Sequence, residues 1–152
     1  MPKLAFLNKK ETKQILSQIE DQWGAKLQFG AHALVKNTNN RIFLVNDEIA
    51  NVDISKLNIN SMGIYFCDLE HMIRLSIEGS QLVGPKATKN VLEVTEEQMK
   101  HWLLGEDMDI DEAFNGFVII RHKNDFFGCG KYTKGKLLNY VGKERRVSAV
   151  VD

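Results

Sequence analysis

The sequence predicts an α+β protein, in which a small N-terminal α+β unit (residues 1–68) precedes a small, mostly antiparallel β-barrel (residues 69–152). Three observations predict this class: a helical apolar period near the N-terminus, a hairpin signature after it, and β-rich runs separated by tight-turn residues near the C-terminus. A chain of 152 residues buries about 70% of its unfolded surface, which is enough for a proper core.

The first predicted element is a helix over residues 9–23. Asn8 and Glu11 have the spacing of a capping box, and Gly24 supplies a left-handed stop. Between them, apolar residues recur at helical spacing: Ile15, Leu16, Ile19 and Trp23.

A hairpin follows the helix. Residues 31–36 and 41–46 are β-rich and flank the tetrapeptide NTNN at 37–40, and asparagine tolerates the positive φ of a tight turn. Residues 47–51 are predicted as a short helical turn, and residues 64–67 as a strand.

The stretch 74–85 has two interpretations. It is either a strand that runs through Ile77, or a short helix that Ser76 caps and Gly84 stops. The residues alone leave both open.

The rest of the chain reads as one further helix and several strands. Thr95 and Gln98 form a second capping box, which begins a helix that runs through Leu103 and ends at Gly105. The predicted strands, with tight turns KND and TKG between the middle three, are residues 91–94, 116–122, 126–132, 136–141 and 147–151.

Charge is unevenly distributed, although the net charge is zero. Residues 121–146 carry eight Lys and Arg against two acidic residues, whereas residues 93–112 carry eight acidic residues against one lysine. Such asymmetry indicates a nucleic-acid-binding or other charged partner surface. Two ordinary solvated faces are the alternative, and the acidic run could also repel RNA.

The segment GCGKYTKGKL, residues 128–137, is close to a phosphate-binding P-loop. The pattern fails at its last position, where Leu137 replaces the hydroxyl that binds Mg²⁺. The P-loop also requires a helix next, and the residues that follow are β-like. We therefore predict no nucleotide site, and interpret Gly128 and Gly130 as positions where a strand bends or closely approaches a neighbour.

The sequence carries no enzyme or metal signature. The four histidines lack zinc-site spacing, and Cys67 and Cys129 are predicted to be small core residues. The acidic run resembles the start of a calcium loop, but Glu112 stands where the loop requires glycine. We expect no catalytic residue, no metal and no cofactor. The N-terminus lacks the apolar segment of a signal peptide and no apolar run approaches about 20 residues, so we expect a soluble, cytoplasmic protein without membrane contact.

The basic C-terminal region is the candidate RNA site, because lysines neutralise phosphates and tyrosines offer flat faces to bases. An asparagine there could hydrogen-bond a base edge or a 2′-hydroxyl. The candidate RNA-binding residues are Lys131, Lys134, Lys136, Asn139, Tyr140, Lys143, Arg145 and Arg146. A hairpin with a solvated lysine face is the alternative, with Tyr140 in the core.

The order of short motifs resembles the C-terminal, PUA-type RNA-binding region of the Sun/Fmu family of RNA cytosine-C5 methyltransferases. The motifs are IRLSIEGSQLVG (73–84), NVLEVTEEQMKHWLLGED (90–107), GFVIIRHKNDFFGCGKYTKG (116–135) and KLLNYVGKERRV (136–147). The resemblance implies a PUA-like barrel, and it favours the short helix over residues 76–83.

Two departures from that family bear on function. Gly142 stands where the family usually has proline, which leaves the basic tail more mobile. The family's catalytic half is a Rossmann-like domain with S-adenosylmethionine and a Pro-Cys nucleophile, and neither proline of this chain precedes a cysteine. The resemblance therefore implies a stand-alone, archaeal-type ribosome-biogenesis protein without the catalytic domain.

The resulting hypothesis is a non-enzymatic protein that binds structured RNA, either rRNA or tRNA, in ribosome biogenesis or RNA modification. An RNA-modifying enzyme is a further candidate partner. The first alternative is a regulatory subunit of an RNA methyltransferase complex that acts mainly through protein contacts. The second is an enzyme with an unrecognised site.

Overall fold

The computed structural model describes residues 4–30, 32–46 and 63–141, which form two five-stranded sheets, three α-helices and a short 3₁₀ helix at Gly84–Lys86. The second sheet curls into a half-barrel, so the predicted α+β class with a barrel-like C-terminal part is confirmed. In chain order the elements are β1 (Ala5–Phe6), α1 (Lys9–Trp23), β2 (His32–Lys36), β3 (Arg41–Asn46), β4 (Gly63–Leu69), β5 (Ile73–Leu75), α2 (Ile77–Val83), β6 (Val91–Glu93), α3 (Glu96–Leu103), β7 (Met108–Asp109), β8 (Phe117–His122), β9 (Asp125–Thr133) and β10 (Lys136–Asn139).

Helix α1 begins and ends where the sequence predicts. The Asn8 side chain accepts a hydrogen bond from the backbone N–H of Glu11 (2.8 Å), and the Glu11 carboxylate accepts one from the backbone N–H of Asn8 (3.0 Å). Gly24 ends the helix at φ 65°. The buried face includes Ile19 and Trp23, so the apolar stripe is core. No helix among the described residues is long and apolar enough to cross a membrane.

The first sheet has the order β1-β2-β3-β4-β5, with antiparallel neighbours throughout. The predicted hairpin is confirmed: the Asn37 side chain accepts hydrogen bonds from the backbone N–H groups of Asn39 (2.9 Å) and Arg41 (3.0 Å), and Asn40 has φ 62°. The predicted strand at 64–67 forms the middle of β4. The predicted turn at 47–51 lies outside the described residues.

The stretch with two interpretations is a short strand followed by a short helix. Strand β5 ends at Leu75, and the Ser76 hydroxyl then accepts a hydrogen bond from the backbone N–H of Gly79 (2.9 Å) to begin α2. Helix α2 ends at Gly84. The helical interpretation, which the resemblance favoured, is confirmed.

The second sheet has the order β6-β8-β9-β10-β7, in which only the β6–β8 pair is parallel. The predicted strands appear as β6, β8, β9 and β10, although β10 ends at Asn139. The capping box at Thr95 and Gln98 begins α3, with hydrogen bonds of 3.1 and 2.9 Å. The two-residue strand β7 was not predicted, because it lies inside the acidic run. The predicted strand at 147–151 lies outside the described residues.

One hydrophobic cluster joins the two sheets. It combines buried residues of α1 and the first sheet with Phe117, Ile119 and Cys129 of the second. The Trp23 indole N–H donates to the carbonyl of Phe117 (3.1 Å), which ties the end of α1 to β8. The predicted boundary between residues 68 and 69 stays a prediction, while β5 carries the first sheet on to Leu75.

The second cluster lies between the second sheet and α3, around Trp102, Ile120 and Leu137. Both cysteines are buried, as the sequence predicts. Burial raises the pKa of Cys67, and it raises the pKa of Cys129 to about 12. Neither thiol is therefore a ready nucleophile at neutral pH.

Candidate nucleic-acid interface

The β9–β10 hairpin places two of the predicted lysines on one face. Lys136 pairs with Thr133, and Lys131 pairs with both Leu138 and Phe117. Because paired residues point to the same side and side chains alternate along a strand, Lys131 and Lys136 lie on the face that carries Phe117. Both lysines are exposed.

The third lysine lies at the tip of the hairpin. Lys134 and Gly135 have φ values of 46° and 82°, so the two central residues of the turn are both left-handed, as in a type I′ turn. The predicted TKG turn is confirmed. It leaves Lys134 exposed between the two strands that carry the other lysines.

The glycines of GCGK serve packing. Gly128 has φ 83°, and its backbone N–H donates to the Ser80 hydroxyl at 2.8 Å. A Cβ on Gly130 would lie 2.5 Å from the Trp102 ring, so only glycine lets α3 approach β9 this closely. Strand β10 follows the turn, and Leu137 is fully buried. The segment is thus a hairpin, without the loop-to-helix geometry of a P-loop.

The Asn139 side chain is engaged within the protein. Its amide donates to the backbone carbonyls of Trp102 (2.8 Å) and Glu106 (2.9 Å), and its oxygen accepts from the backbone N–H of Val141 (2.8 Å). Both amide hydrogens are therefore occupied. Contact of Asn139 with RNA stays a prediction, and the geometry gives the side chain a role in holding β10 to the end of α3.

Tyr140 lies at the surface. Its side chain is 41% exposed, and its ring packs edge-on against Phe117 with centroids 5.5 Å apart. The Arg74 guanidinium lies 4.8 Å from the centre of the ring. Tyr140 therefore lies on the same face of the second sheet as Lys131 and Lys136.

A row of three charged residues crosses the first sheet beside Tyr140. Arg41 pairs with Asp68, and Asp68 pairs with Arg74, on the adjacent strands β3, β4 and β5. The Asp68 carboxylate, only 6% exposed, accepts a hydrogen bond from Arg74 (2.9 Å) and lies 3.6 Å from Arg41. The Tyr65 hydroxyl also donates to it.

The surroundings of Asp68 change the pKa values of two of its partners, Tyr65 and Arg74. Burial, followed by the hydrogen bond to Asp68, raises the pKa of the Tyr65 hydroxyl. Burial lowers the pKa of Arg74, but its hydrogen bond to Asp68 and their attraction outweigh that effect and raise it. Arg74 therefore remains charged, and Tyr65 remains a neutral donor across the physiological range.

The row borders a cleft of about 150 Å³ between the two sheets. Arg41, Tyr65 and Arg74 contribute from one side and Tyr140 from the other. The Arg41 guanidinium also lies 4.2 Å from the centre of the Tyr65 ring, so each arginine covers a tyrosine.

Sequence reasoning missed Arg41, Tyr65, Asp68 and Arg74. They are separated along the chain, and only the register of three antiparallel strands brings the three charged residues into one row, with Tyr65 hydrogen-bonded to Asp68. An alternation of opposite charges across strands is the signal that could have found them, but it is visible only when the pairing is known.

The acidic run borders the face of the second sheet that carries Lys131 and Lys136, which we call the lysine face. Asp109 of β7 lies 3.8 Å from Lys136, and the Asp107 carboxylate accepts the backbone N–H of Asn139 (2.8 Å). No group of three or more metal-ligating residues occurs among residues 4–30, 32–46 and 63–141. The run therefore limits the basic surface on the β7 side. The remaining predicted cations, Lys143, Arg145 and Arg146, lie outside the described residues.

A comparison with known protein families finds a match that covers the second sheet. Residues 89–147 match a family model described as the methyltransferase RsmF PUA domain. The predicted resemblance to a PUA-type region is confirmed. What matches is a PUA domain and not a catalytic methyltransferase domain, so we call residues 89–141 the PUA-like domain.

A curated relative extends the similarity to most of the chain. The chain is 26% identical over 137 residues to the ribosomal RNA small subunit methyltransferase F of Aeromonas salmonicida (strain A449). The match covers 89% of this chain and 28% of the relative. The chain thus spans little more than a quarter of that protein's length.

Proposed function

We propose that this protein binds structured RNA, ribosomal or transfer, through the lysine face of its PUA-like domain, without catalysing a reaction on it. The observation that carries the proposal is the common face of Lys131, Lys136 and Tyr140, with Lys134 at the tip of the same hairpin. Cations spaced along two strands meet successive phosphates, and the exposed ring offers a stacking surface.

The relative gives the proposal a context. Its printed name concerns ribosomal RNA of the small subunit and methylation. We therefore propose a role for this chain in rRNA modification or ribosome biogenesis, and we propose that it acts in the cytoplasm. We propose that the cations Lys143, Arg145 and Arg146, which lie outside the described residues, also contact RNA.

A second candidate function is that of a regulatory subunit of an RNA methyltransferase complex, and the similarity to a protein named as an rRNA methyltransferase favours it. Under this proposal the chain is a subunit that contacts an RNA methyltransferase, and RNA digestion would leave the complex intact. Loss of the enzyme from a pull-down after ribonuclease treatment would instead support RNA binding as the primary role.

Affinity for RNA tests the proposal. The triple variant Lys131→Gln, Lys134→Gln, Lys136→Gln removes the hairpin cations, and the matched control changes three exposed lysines of α1, namely Lys9, Lys10 and Lys13, to Gln. Exposed ion pairs contribute about 0.2–1 kcal/mol each, so we expect affinity for a transfer RNA or a small-subunit rRNA fragment to fall about 3- to 160-fold in the hairpin variant only. An equal loss in both variants would refute a specific face.

A further inference from the structure

We propose that the cleft between the two sheets receives one unpaired base of the bound RNA, stacked on the pair that the Tyr140 ring and the Arg74 guanidinium form. This inference rests on the proposed function and adds the element of RNA structure that is recognised. Seven of the eleven residues that line the cleft, among them Arg41, Tyr65 and Arg74, lie outside the residues 89–147 that match the PUA model. The matched domain alone therefore does not build the cleft.

The position of the cleft connects it to the lysines. Tyr140 and Cys129 line it, and both lie on the face of the second sheet that carries Lys131 and Lys136. A strand of RNA whose phosphates follow the lysines would reach the cleft without crossing to the other face of the sheet.

The volume of the cleft limits what it can hold. Pockets that enclose drug-sized ligands measure roughly 300–1,000 Å³. A cleft of about 150 Å³ is smaller than that, and it suits one flat ring system rather than a whole nucleotide with its sugar and phosphate.

Charge further restricts the occupant to an uncharged group. The two guanidinium groups of Arg41 and Arg74 are matched by two carboxylates, Asp68 beneath them and Glu78 in the lining. A phosphate would gain little attraction from such a balanced set, whereas a base needs donors, acceptors and a flat partner. The phosphates therefore belong on the lysines and the base in the cleft.

Stacking surfaces in the cleft are already in place. Unpaired bases stack on aromatic rings and on guanidinium planes, and here both occur as preformed pairs, Arg74 over Tyr140 and Arg41 over Tyr65. The hydrogen bond from Arg74 to the buried Asp68 fixes the guanidinium in advance, which lowers the ordering cost of binding. Asp68 is thus a positioning residue for the cleft.

Three RNAs that differ at a single position test the inference. The first is a short RNA hairpin with one unpaired nucleotide, the second has an abasic residue at that position, and the third is fully paired. The first two have the same phosphates and the same interruption of the helix, so a difference between them reports the base alone. Stacking contributes about 1–3 kcal/mol per base, so wild-type protein should prefer the unpaired base over the abasic residue by about 5- to 160-fold.

Variants connect that preference to the cleft. Arg74→Lys keeps the charge but loses the planar group, and Tyr140→Ala removes the exposed ring. Each change should therefore bring the ratio of affinities for the unpaired-base RNA and the abasic RNA close to one. Tyr140→Phe should retain it. The matched control is Arg121→Lys, because Arg121 also lies over an aromatic ring, Phe126 at 5.7 Å, but on β8 away from the cleft. Thermal unfolding identifies any variant that has lost its fold, and Tyr140→Ala keeps the test valid if Arg74→Lys unfolds.

The outcomes separate the inference from the proposed function. If wild-type protein binds none of the three RNAs, RNA binding itself fails. If it binds all three equally, and Tyr140→Ala changes nothing, RNA binding stands and the cleft inference is overturned. A preference for the unpaired base that Tyr140→Ala abolishes and Arg121→Lys preserves supports the inference.

Discussion

Replacing Asp68 by asparagine should destabilise the fold more than any change to an exposed ion pair. The carboxylate is 6% exposed, accepts hydrogen bonds from Arg74 and Tyr65, and lies 3.6 Å from Arg41. Asparagine keeps one acceptor oxygen but loses the charge, so at least one charge-assisted hydrogen bond of about 1.5–3 kcal/mol is lost. The full cost of a broken buried pair, about 3–5 kcal/mol, does not apply, because Arg74 is 23% and Arg41 44% exposed and water can solvate them.

We therefore expect Asp68→Asn to lower the free energy of unfolding by about 2–3 kcal/mol. Urea unfolding at neutral pH measures this change, and the melting temperature should fall by about 2–4 °C for each kcal/mol. The matched control is Glu93→Gln, whose carboxylate lies 3.5 Å from Arg121 with both side chains largely exposed. That change should cost less than about 1 kcal/mol. Equal losses in the two variants would show that the Arg–Asp–Arg row does not hold the first sheet together.

Three further predictions concern packing, pH and thiol reactivity. Gly130→Ala should cost about 1–3 kcal/mol in urea unfolding, because the new Cβ would lie 2.5 Å from the Trp102 ring, and an unchanged midpoint would contradict that packing. The Glu106 hydrogen bond at 2.8 Å raises the pKa of His101, so the pair contributes stability that is present below about pH 6.5 and lost as pH rises through the folded-state value. NMR titration should show that elevated pKa, with Glu106→Gln returning it toward 6.5. Burial raises the pKa of both cysteines, so neither should react with a thiol reagent at pH 8 until denaturant is added, and rapid native-state labelling would contradict this.

Local chemistry made much of the fold predictable from sequence. The capping boxes at Asn8 and Thr95 each satisfy backbone donors within four residues, so the helix starts were visible in the sequence alone. The TKG turn was equally visible, because Gly135 suits a tight turn between two β-rich runs, and the structure gives it φ 82°. The sequence did not decide between strand and helix for residues 74–85. The helix there is supported by a contact that is distant in the chain, because the Ser76 hydroxyl donates a hydrogen bond to the carbonyl of Phe66 on β4.

In the candidate site as well, features of local sequence could be predicted and features that depend on strand pairing could not. The hairpin lysines could be named as candidates from the sequence, because they cluster around a recognisable turn between two β-rich runs. The cleft was not, since Arg41, Asp68 and Arg74 meet only through the register of three strands. Asn139 is a different case. An asparagine in a basic region suggested RNA contact, but in the fold its side-chain amide donates to two backbone carbonyls at the end of α3.

The salt dependence of RNA binding tests the central claim most directly. Each phosphate contact to single-stranded RNA contributes a slope of roughly −0.7 in log K against log salt. Titrations of one RNA at several salt concentrations should therefore give a slope that is shallower by up to about 2 when Lys131, Lys134 and Lys136 become glutamine, and an unchanged slope for the three α1 lysine changes. The same slope and affinity in wild-type protein and in the hairpin variant would contradict the claim that phosphates lie on this face.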